Sequence, residues 1–263
     1  MEILVCVKKV PDTADAEVVL KQDGTGIKED DLASGINEWD NYAVEEAIRI
    51  KETHGGTVTV ATIGSADSED VLRRCLAMGA DNAIMIDDAS FKGADPYGIA
   101  RGLCGVAGKG SYDLVLAGAQ AGDDGYAMVG PVLAGYLGWP HATLVTSILL
   151  EGKTVTVTRE LEGGLEEMLR IELPAVLTIQ TGINEPRYVS IMGIRKVRAK
   201  EIPVLDPAAI GLAPGEIGAN ANRIKRTGLA VPPAGKEAEM IKGTPAEIAR
   251  KILDIVKERG GVA

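Results

Sequence analysis

Short Val- and Ile-rich runs alternate with segments of helical periodicity through the first half of the chain, and this alternation restricts the fold more than any other feature. "EILVCVKKV" is a β-rich run. "NEWDNYAVEEAIRIKETHGG" then sets Val44, Ala47 and Ile48 at helical spacing and stops at Gly55-Gly56. "TVTVATIG", "NAIMIDD" and "YDLVLAGAQ" predict further strands. "SEDVLRRCLAMGA", "DPYGIARGLCGVAG" and "MVGPVLAGYLGW" predict helices, the last with Pro131 near its start. Strands separated by helices of this length form βαβ units with right-handed crossovers and a mostly parallel sheet. The chain is 46% hydrophobic but only 3% aromatic, so its core must be Val, Ile, Leu and Ala. That mixture suits α/β layers in which helices cover both faces of the sheet.

Two later stretches break the alternation. "KTVTVTRELEGGLEEMLRIELP" alternates apolar and polar residues on both sides of Gly163-Gly164, the pattern of an antiparallel hairpin added to the sheet. From about residue 203 the chain is rich in Pro, Gly and Ala and has little periodicity. Such a segment cannot form its own core, and is expected to be disordered or to lie across a partner. It ends in "GTPAEIARKILDIVKERGG", an amphipathic helix with Thr244 placed to cap it and Glu247 three residues on. The expected organisation is therefore an α/β domain over 1–202 and an extended arm with a terminal helix over 203–263.

Several functions are disfavoured by composition. A net charge of -10 argues against a nucleic-acid binder. Cys6, Cys75 and Cys104 lie in apolar segments without metal-ligand spacing and read as reduced core thiols of a reducing compartment. No run of eighteen apolar residues occurs, and the first residues read as a strand rather than a signal peptide, so a cytoplasmic protein without membrane insertion is expected. His54 and His141 stand beside no obvious nucleophile. Asp123-Asp124 read as solvated or capping groups more readily than as a metal site or an acid–base pair. No catalytic constellation emerges.

Open α/β sheets bind ligands beyond the carboxyl ends of their strands. Three segments fall there: "VCVKKVPD", "TIGSADSED" and "LAGAQAGDDGYAMVGP". In the last, Gly118, Ala119, Ala121 and Gly122 allow close backbone approach to a nucleotide. None of the three matches the dinucleotide fingerprint or the P-loop, and the glycine-rich turn taken alone is equally compatible with a plain tight connection.

In order and spacing, "NEWDNYAVEEAIRIKE", "RRCLAMGAD", "DLVLAGAQAGDD", "TRELEGGLEE" and "LPAVLTIQTGINEPRYVSIMGIRK" resemble the beta subunits of electron-transferring flavoproteins, from Met1 to the terminal helix. The last piece is close to a signature of that family. The resemblance implies a nucleotide-binding sheet of the adenine nucleotide alpha-hydrolase kind. It also implies a heterodimer with an alpha subunit that carries most of the contacts to FAD, and a structural AMP in beta. By matching motifs, the AMP contacts fall on Cys6, on Asn37, Glu38, Trp39 and Asp40, on Ile63, and on Gly118, Ala119, Gln120, Ala121, Gly122, Asp123, Asp124, Gly125, Tyr126, Ala127, Met128 and Val129. Cys6 and Ile63 would contribute backbone atoms, since neither side chain suits adenine or phosphate.

The resemblance further implies a recognition loop over 187–196 that docks a flavin dehydrogenase, such as an acyl-CoA dehydrogenase of fatty acid oxidation. Ile191 would stand where the family has an apolar anchor, with Met192 beside it and Arg187, Tyr188, Arg195 and Lys196 around it. Arg195, Lys196 and Arg198 would meet acidic groups or phosphates. Electrons would pass on towards a membrane quinone oxidoreductase. Glu160 matches a glutamate that holds the mobile FAD domain of alpha through an arginine, a role suited to a weak, switchable ion pair. Some relatives instead bifurcate electrons, with a second FAD in beta and NADH as donor. Their loop often reads Ala-Ile-Asp-Gly-Asp-Thr-Ala-Gln-Val-Gly-Pro, where this chain has "AGDDGYAMVGP". That departure, with "RELEGGLEE" and "NEPRY", favours AMP and simple transfer. A stand-alone nucleotide-binding sensor of the universal-stress-protein kind is the other alternative, but it needs neither recognition loop nor long arm.

Overall fold

The computed structural model describes residues 1–14, 16–213, 215–233, 235 and 238–261. Its strands are β1 (Glu2–Cys6), β2 (Lys9–Pro11), β3 (Ser34–Ile36), β4 (Thr57–Ile63), β5 (Asn82–Ile86), β6 (Leu114–Gly118), β7 (His141–Glu151), β8 (Thr154–Leu161), β9 (Leu165–Glu172), β10 (Ala175–Ile179) and β11 (Val204–Leu205). The α-helices are α1 (Glu38–His54), α2 (Glu69–Met78), α3 (Pro96–Ala107), α4 (Val129–Leu137), α5 (Ile191–Lys196) and α6 (Pro245–Glu258).

One sheet of nine strands runs in the order β11-β5-β4-β1-β6-β10-β7-β8-β9. Seven of its strands are parallel, and β8 and β9 continue from β7 as the antiparallel hairpin expected around Gly163-Gly164. Both glycines have positive φ, 82° and 76°, which a tight turn between strands requires. Because the middle strands are covered on both faces, side chains of either parity are buried. Ile3, Val5, Leu114, Leu116 and Leu177 join α1 and α2 in one core. Leu4, Val115 and Val176 join α3 and α4 in the other. This explains why the strands read as unbroken apolar runs.

The helices begin and end where their capping chemistry places them. Asp95 caps α3 by accepting from the Gly98 N–H at 3.0 Å, with Pro96 in the first turn. Gly55 (φ 73°) follows α1 and Gly79 (φ 134°) follows α2. The capping box of Thr244 and Glu247 forms on α6 as the spacing predicts.

After residue 203 the structure departs from the expected arm. Val204–Leu205 adds β11 to the outer edge of β5, and Ile210, Leu212 and Ile217 are buried in the α3–α4 core. The Asp95 carboxylate then accepts from the N–H groups of Arg223 (2.6 Å) and Ile224 (2.9 Å), stitching the returning chain to the start of α3. The three apolar residues of this docking are isolated in the chain and leave no periodic signal. Beyond Ile224 the chain is mostly exposed, and α6 buries no residue. Residues 214, 234, 236, 237, 262 and 263 of the expected arm lie outside the described residues.

Candidate nucleotide site

The chain leaves β1 towards β4 and β5 on one side and returns to β6 and β10 on the other, so a crevice opens between the carboxyl ends of β1 and β6. A cavity of about 190 Å³ lies there, smaller than the roughly 300 Å³ at which ligand sites usually begin. It gathers Cys6, Asn37, Asp40, Ile63, Gly118, Ala119, Gln120, Ala121, Asp124, Tyr126, Ala127, Met128 and Val129. Glu38, Trp39, Gly122, Asp123 and Gly125 stand next to these in the chain without lining the cavity. Val7, Lys8, Ala94, Pro96, Ile99, Leu103 and Ala117 line it as well, although sequence alone did not single them out as ligand contacts. The four from Ala94 to Leu103 supply an apolar wall from the start of α3. Lys8 was legible only as part of the segment that leaves the first strand.

Asn37 and Asp40 shape the crevice from the start of α1. Asn37 donates through Nδ2 to the Gln120 carbonyl at 2.8 Å and accepts at Oδ1 from the Gly122 N–H at 3.1 Å, which holds the glycine-rich loop to α1. The buried Asp40 carboxylate accepts from the Lys8 N–H at 2.7 Å and the Gly118 N–H at 2.9 Å, so one side chain clamps both strand ends. Gly118 is dictated by this clamp: a Cβ there would sit 2.4 Å from Asp40 Oδ1 and 2.7 Å from Trp39 Cβ. The Lys8 ammonium donates to Asp123 and Asp124, each at 2.7 Å, and so bridges β1 to the loop after β6. Burial pulls the Lys8 pKa down, but these two carboxylates outweigh it and leave the ammonium more firmly protonated than usual.

The loop then enters α4 without a cap. Met128 provides no side-chain hydrogen bond, and the first turn carries no acidic residue. The positive end of a nine-residue helix therefore starts beside the cavity, where Met128 and Val129 line it. The Val129 and Gly130 N–H groups are uncapped by any side chain and Pro131 has no N–H, an arrangement that can receive phosphate oxygens. Ala127 holds a positive φ of 53°, which bends the backbone into that turn. An apolar wall on one side and backbone donors on the other suit a base and a phosphate respectively. The residues present thus fit a ligand with an apolar, base-like part and a phosphate.

Burial, followed by the Asp40 charge, pushes the Cys6 thiol up to about 12, so it is an unreactive wall of the site. Burial also pushes the Asp40 carboxyl up to about 7, against the pull of its backbone donors, of Asn37 and of the Lys8 charge. A carboxyl whose pKa rises on folding makes the folded state less favourable as pH climbs from the unfolded value to the folded one. Stability should therefore fall between about pH 4 and pH 7, by up to roughly 4 kcal/mol for this group. Urea titrations across that window check it. Asp40→Asn should flatten the slope there, while setting an amide NH2 against one of the two backbone donors. An unchanged slope in that variant would show that other groups dominate.

A second polar chain runs from the site to the hairpin. Trp39 Nε1 donates to Gln180 Oε1 at 2.9 Å, and Gln180 Nε2 donates to the exposed Glu160 at 2.9 Å. The segment after β10 turns at Asn184–Arg187 and becomes α5, capped by Ser190 accepting from the Gly193 N–H at 3.1 Å. Ile194, Val197 and Val189 pack towards the core, whereas Tyr188 is 90% exposed, Ile191 71% and Met192 63%. Arg195 and Lys196 are also placed on this segment, in the last turn. Arg187 differs from the rest: its guanidinium is bound inside the chain by Glu45 and Glu52. Among the described residues no helix is long and apolar enough to cross a membrane, and no group of three His, Cys, Asp or Glu side chains could hold a metal ion.

A mostly parallel sheet with a cavity at its switch point, an added hairpin and a trailing amphipathic helix that buries no residue define an α/β domain. The family profile for the electron transfer flavoprotein domain matches residues 25–210. The electron transfer flavoprotein subunit beta of Methylophilus methylotrophus is 39% identical, over 99% of this chain and all of that one. The human subunit beta is 39% identical over 81% of this chain and 84% of its own. CarD, a subunit of the caffeyl-CoA reductase-Etf complex of Acetobacterium woodii, is 39% identical over 98% of this chain and 99% of its own. The chain belongs to the electron transfer flavoprotein family, among its beta subunits. A beta subunit implies an alpha partner, and the family is one of flavin-bearing electron carriers.

Proposed function

We propose that this chain is the beta half of a heterodimeric electron carrier that holds AMP in the cavity beside Gly118 and docks a flavin dehydrogenase through Tyr188, Ile191 and Met192. FAD supplies the electron-carrying chemistry when bound, and it belongs mainly to the alpha subunit. The observation that carries the reading is a small, glycine-floored cavity at the switch point of a chain that matches beta subunits almost end to end. The loop "AGDDGYAMVGP", which departs from the bifurcating pattern, favours a mononucleotide over a second FAD. The role of this chain's own residues is structural: Asp40 and Asn37 set the crevice, and the open start of α4 receives the phosphate.

Exposed Ile252 and Leu253 and the half-buried Ile248, Ile255 and Val256 give α6 an apolar side that finds no cover among the described residues of this chain. The alpha subunit is its natural cover. An acyl-CoA dehydrogenase fits as donor, a quinone oxidoreductase as acceptor and the cytoplasm as location. Similarity to CarD favours a second reading, in which beta holds another FAD and takes electrons from NADH. Co-expression with an alpha subunit tests the main proposal. A stable one-to-one complex that keeps its FAD through gel filtration is expected. A chain that binds adenine nucleotides but never forms that complex would favour the stand-alone sensor.

A further inference from the structure

We propose that Glu45, Glu46 and Glu52 of α1, with Asn184 and Arg187, form a brace that fixes the posture of the docking segment, and that Arg187 is a positioning residue rather than a contact of the dehydrogenase. This inference rests on the docking role proposed above for Tyr188, Ile191 and Met192.

The geometry leaves Arg187 little freedom to reach a partner. Its Nε and Nη2 donate to Glu45 at 2.8 and 3.0 Å, and its Nη1 and Nη2 donate to Glu52 at 2.8 and 3.2 Å. Nη1 also reaches the Met78 carbonyl at 3.4 Å. The Arg187 N–H donates to Glu45 as well, at 3.1 Å. Every nitrogen of the fork is thus engaged within the chain, in the bidentate geometry that favours arginine over lysine. Glu45 is buried, so its charge is held in a low-dielectric setting where the partner must be well aligned. Glu52 stands two turns further along the same helix face.

The other end of the turn is held in the same way. Asn184 donates through Nδ2 to the buried Glu46 at 2.9 Å and to the Tyr42 carbonyl at 3.1 Å. The turn from Asn184 to Arg187 is therefore pinned at both ends to the middle of α1. Tyr188 comes directly after it, and then a six-residue helix with Ile191 and Met192 exposed. A helix that short has little stability of its own, so its direction must come from its attachments. The attachments available are this brace and the packing of Val189, Ile194 and Val197. The exposed apolar residues are thus presented by a turn whose posture α1 dictates.

The test uses the FAD-loaded heterodimer as electron acceptor for an acyl-CoA dehydrogenase, with amide hydrogen exchange of residues 188–196 as a second readout. Arg187→Lys and Glu45→Gln should raise the dehydrogenase's KM for the carrier about tenfold with kcat at saturation unchanged, and should speed exchange in 188–196 alone. Glu52→Gln, which alters only the exposed half of the brace, should give a smaller change of the same kind and guards against misfolding of the other two. Ile191→Ala combined with Met192→Ala should raise KM with exchange unaltered. If Arg187→Lys raises KM while Glu45→Gln is silent and exchange stays normal, Arg187 is a direct contact and the brace is overturned. If the Ile191 and Met192 double variant leaves KM unchanged, the docking role itself fails, and the brace loses its purpose even where exchange responds.

Discussion

Gly118→Ala should strip the nucleotide from the heterodimer while leaving the two subunits together. The added Cβ would meet Asp40 Oδ1 at 2.4 Å, Trp39 Cβ at 2.7 Å and the Asp40 backbone nitrogen at 2.9 Å. Asp40 cannot step aside cheaply, because its carboxylate is held by the Lys8 and Gly118 N–H groups. The start of α1 must therefore move away from β6, and the crevice between them changes shape. Overpacking of this kind costs about 1–3 kcal/mol. The loss of bound nucleotide should be close to complete, because the same displacement shifts Asn37 and the loop it holds. Gly135→Ala is the control: it lies in α4, and a Cβ there meets nothing within 4 Å. That variant should keep its nucleotide and gain slightly in stability. Nucleotide released on denaturation, measured for both, decides the matter.

Arg187→Ala should be among the most destabilising changes outside the sheet. It strands the Glu45 carboxylate, which is buried, without the guanidinium that neutralises it. Breaking a fully buried pair costs about 3–5 kcal/mol. Arg187 itself is 34% exposed, so water can partly replace it, and about 2–3 kcal/mol is the expected loss. Removing Glu45 as well should recover part of that loss, because the stranded charge is gone. Chemical denaturation of the wild type, both single variants and the double variant gives the coupling. Additive losses would mean that the pair does not act as a unit.

The parallel sheet was legible because its physics is local. Apolar runs, helical spacing and stop signals such as Gly55 and Gly79 each follow from the residues they occupy. The candidate cavity was legible to the extent that glycine and alanine after a strand mark close backbone approach, which brought out Gly118, Ala119 and Ala121 of its lining. Lys8 and the wall from Ala94 to Leu103 were not, because their part in the cavity depends on which strand ends and helix starts meet in space. The same holds for β10, which inserts between β6 and β7 although it follows both in the chain. The three-residue strands β2 and β3 and the two-residue β11 carry no periodic pattern to read. Arg187 shows the limit most clearly. In sequence it belongs to the exposed basic segment just after it, and only the fold brings Glu45 and Glu52, more than a hundred residues earlier, against its guanidinium.

A nucleotide count on the heterodimer copurified with its alpha subunit tests the central claim most directly. The complex is denatured, and released FAD and AMP are separated by chromatography and counted per heterodimer. One FAD with one AMP is the predicted result, with the AMP lost in Gly118→Ala and the FAD retained. Two FAD and no AMP would contradict the account, because the cavity beside Gly118 would then hold a second flavin nucleotide and bifurcation would become the leading function.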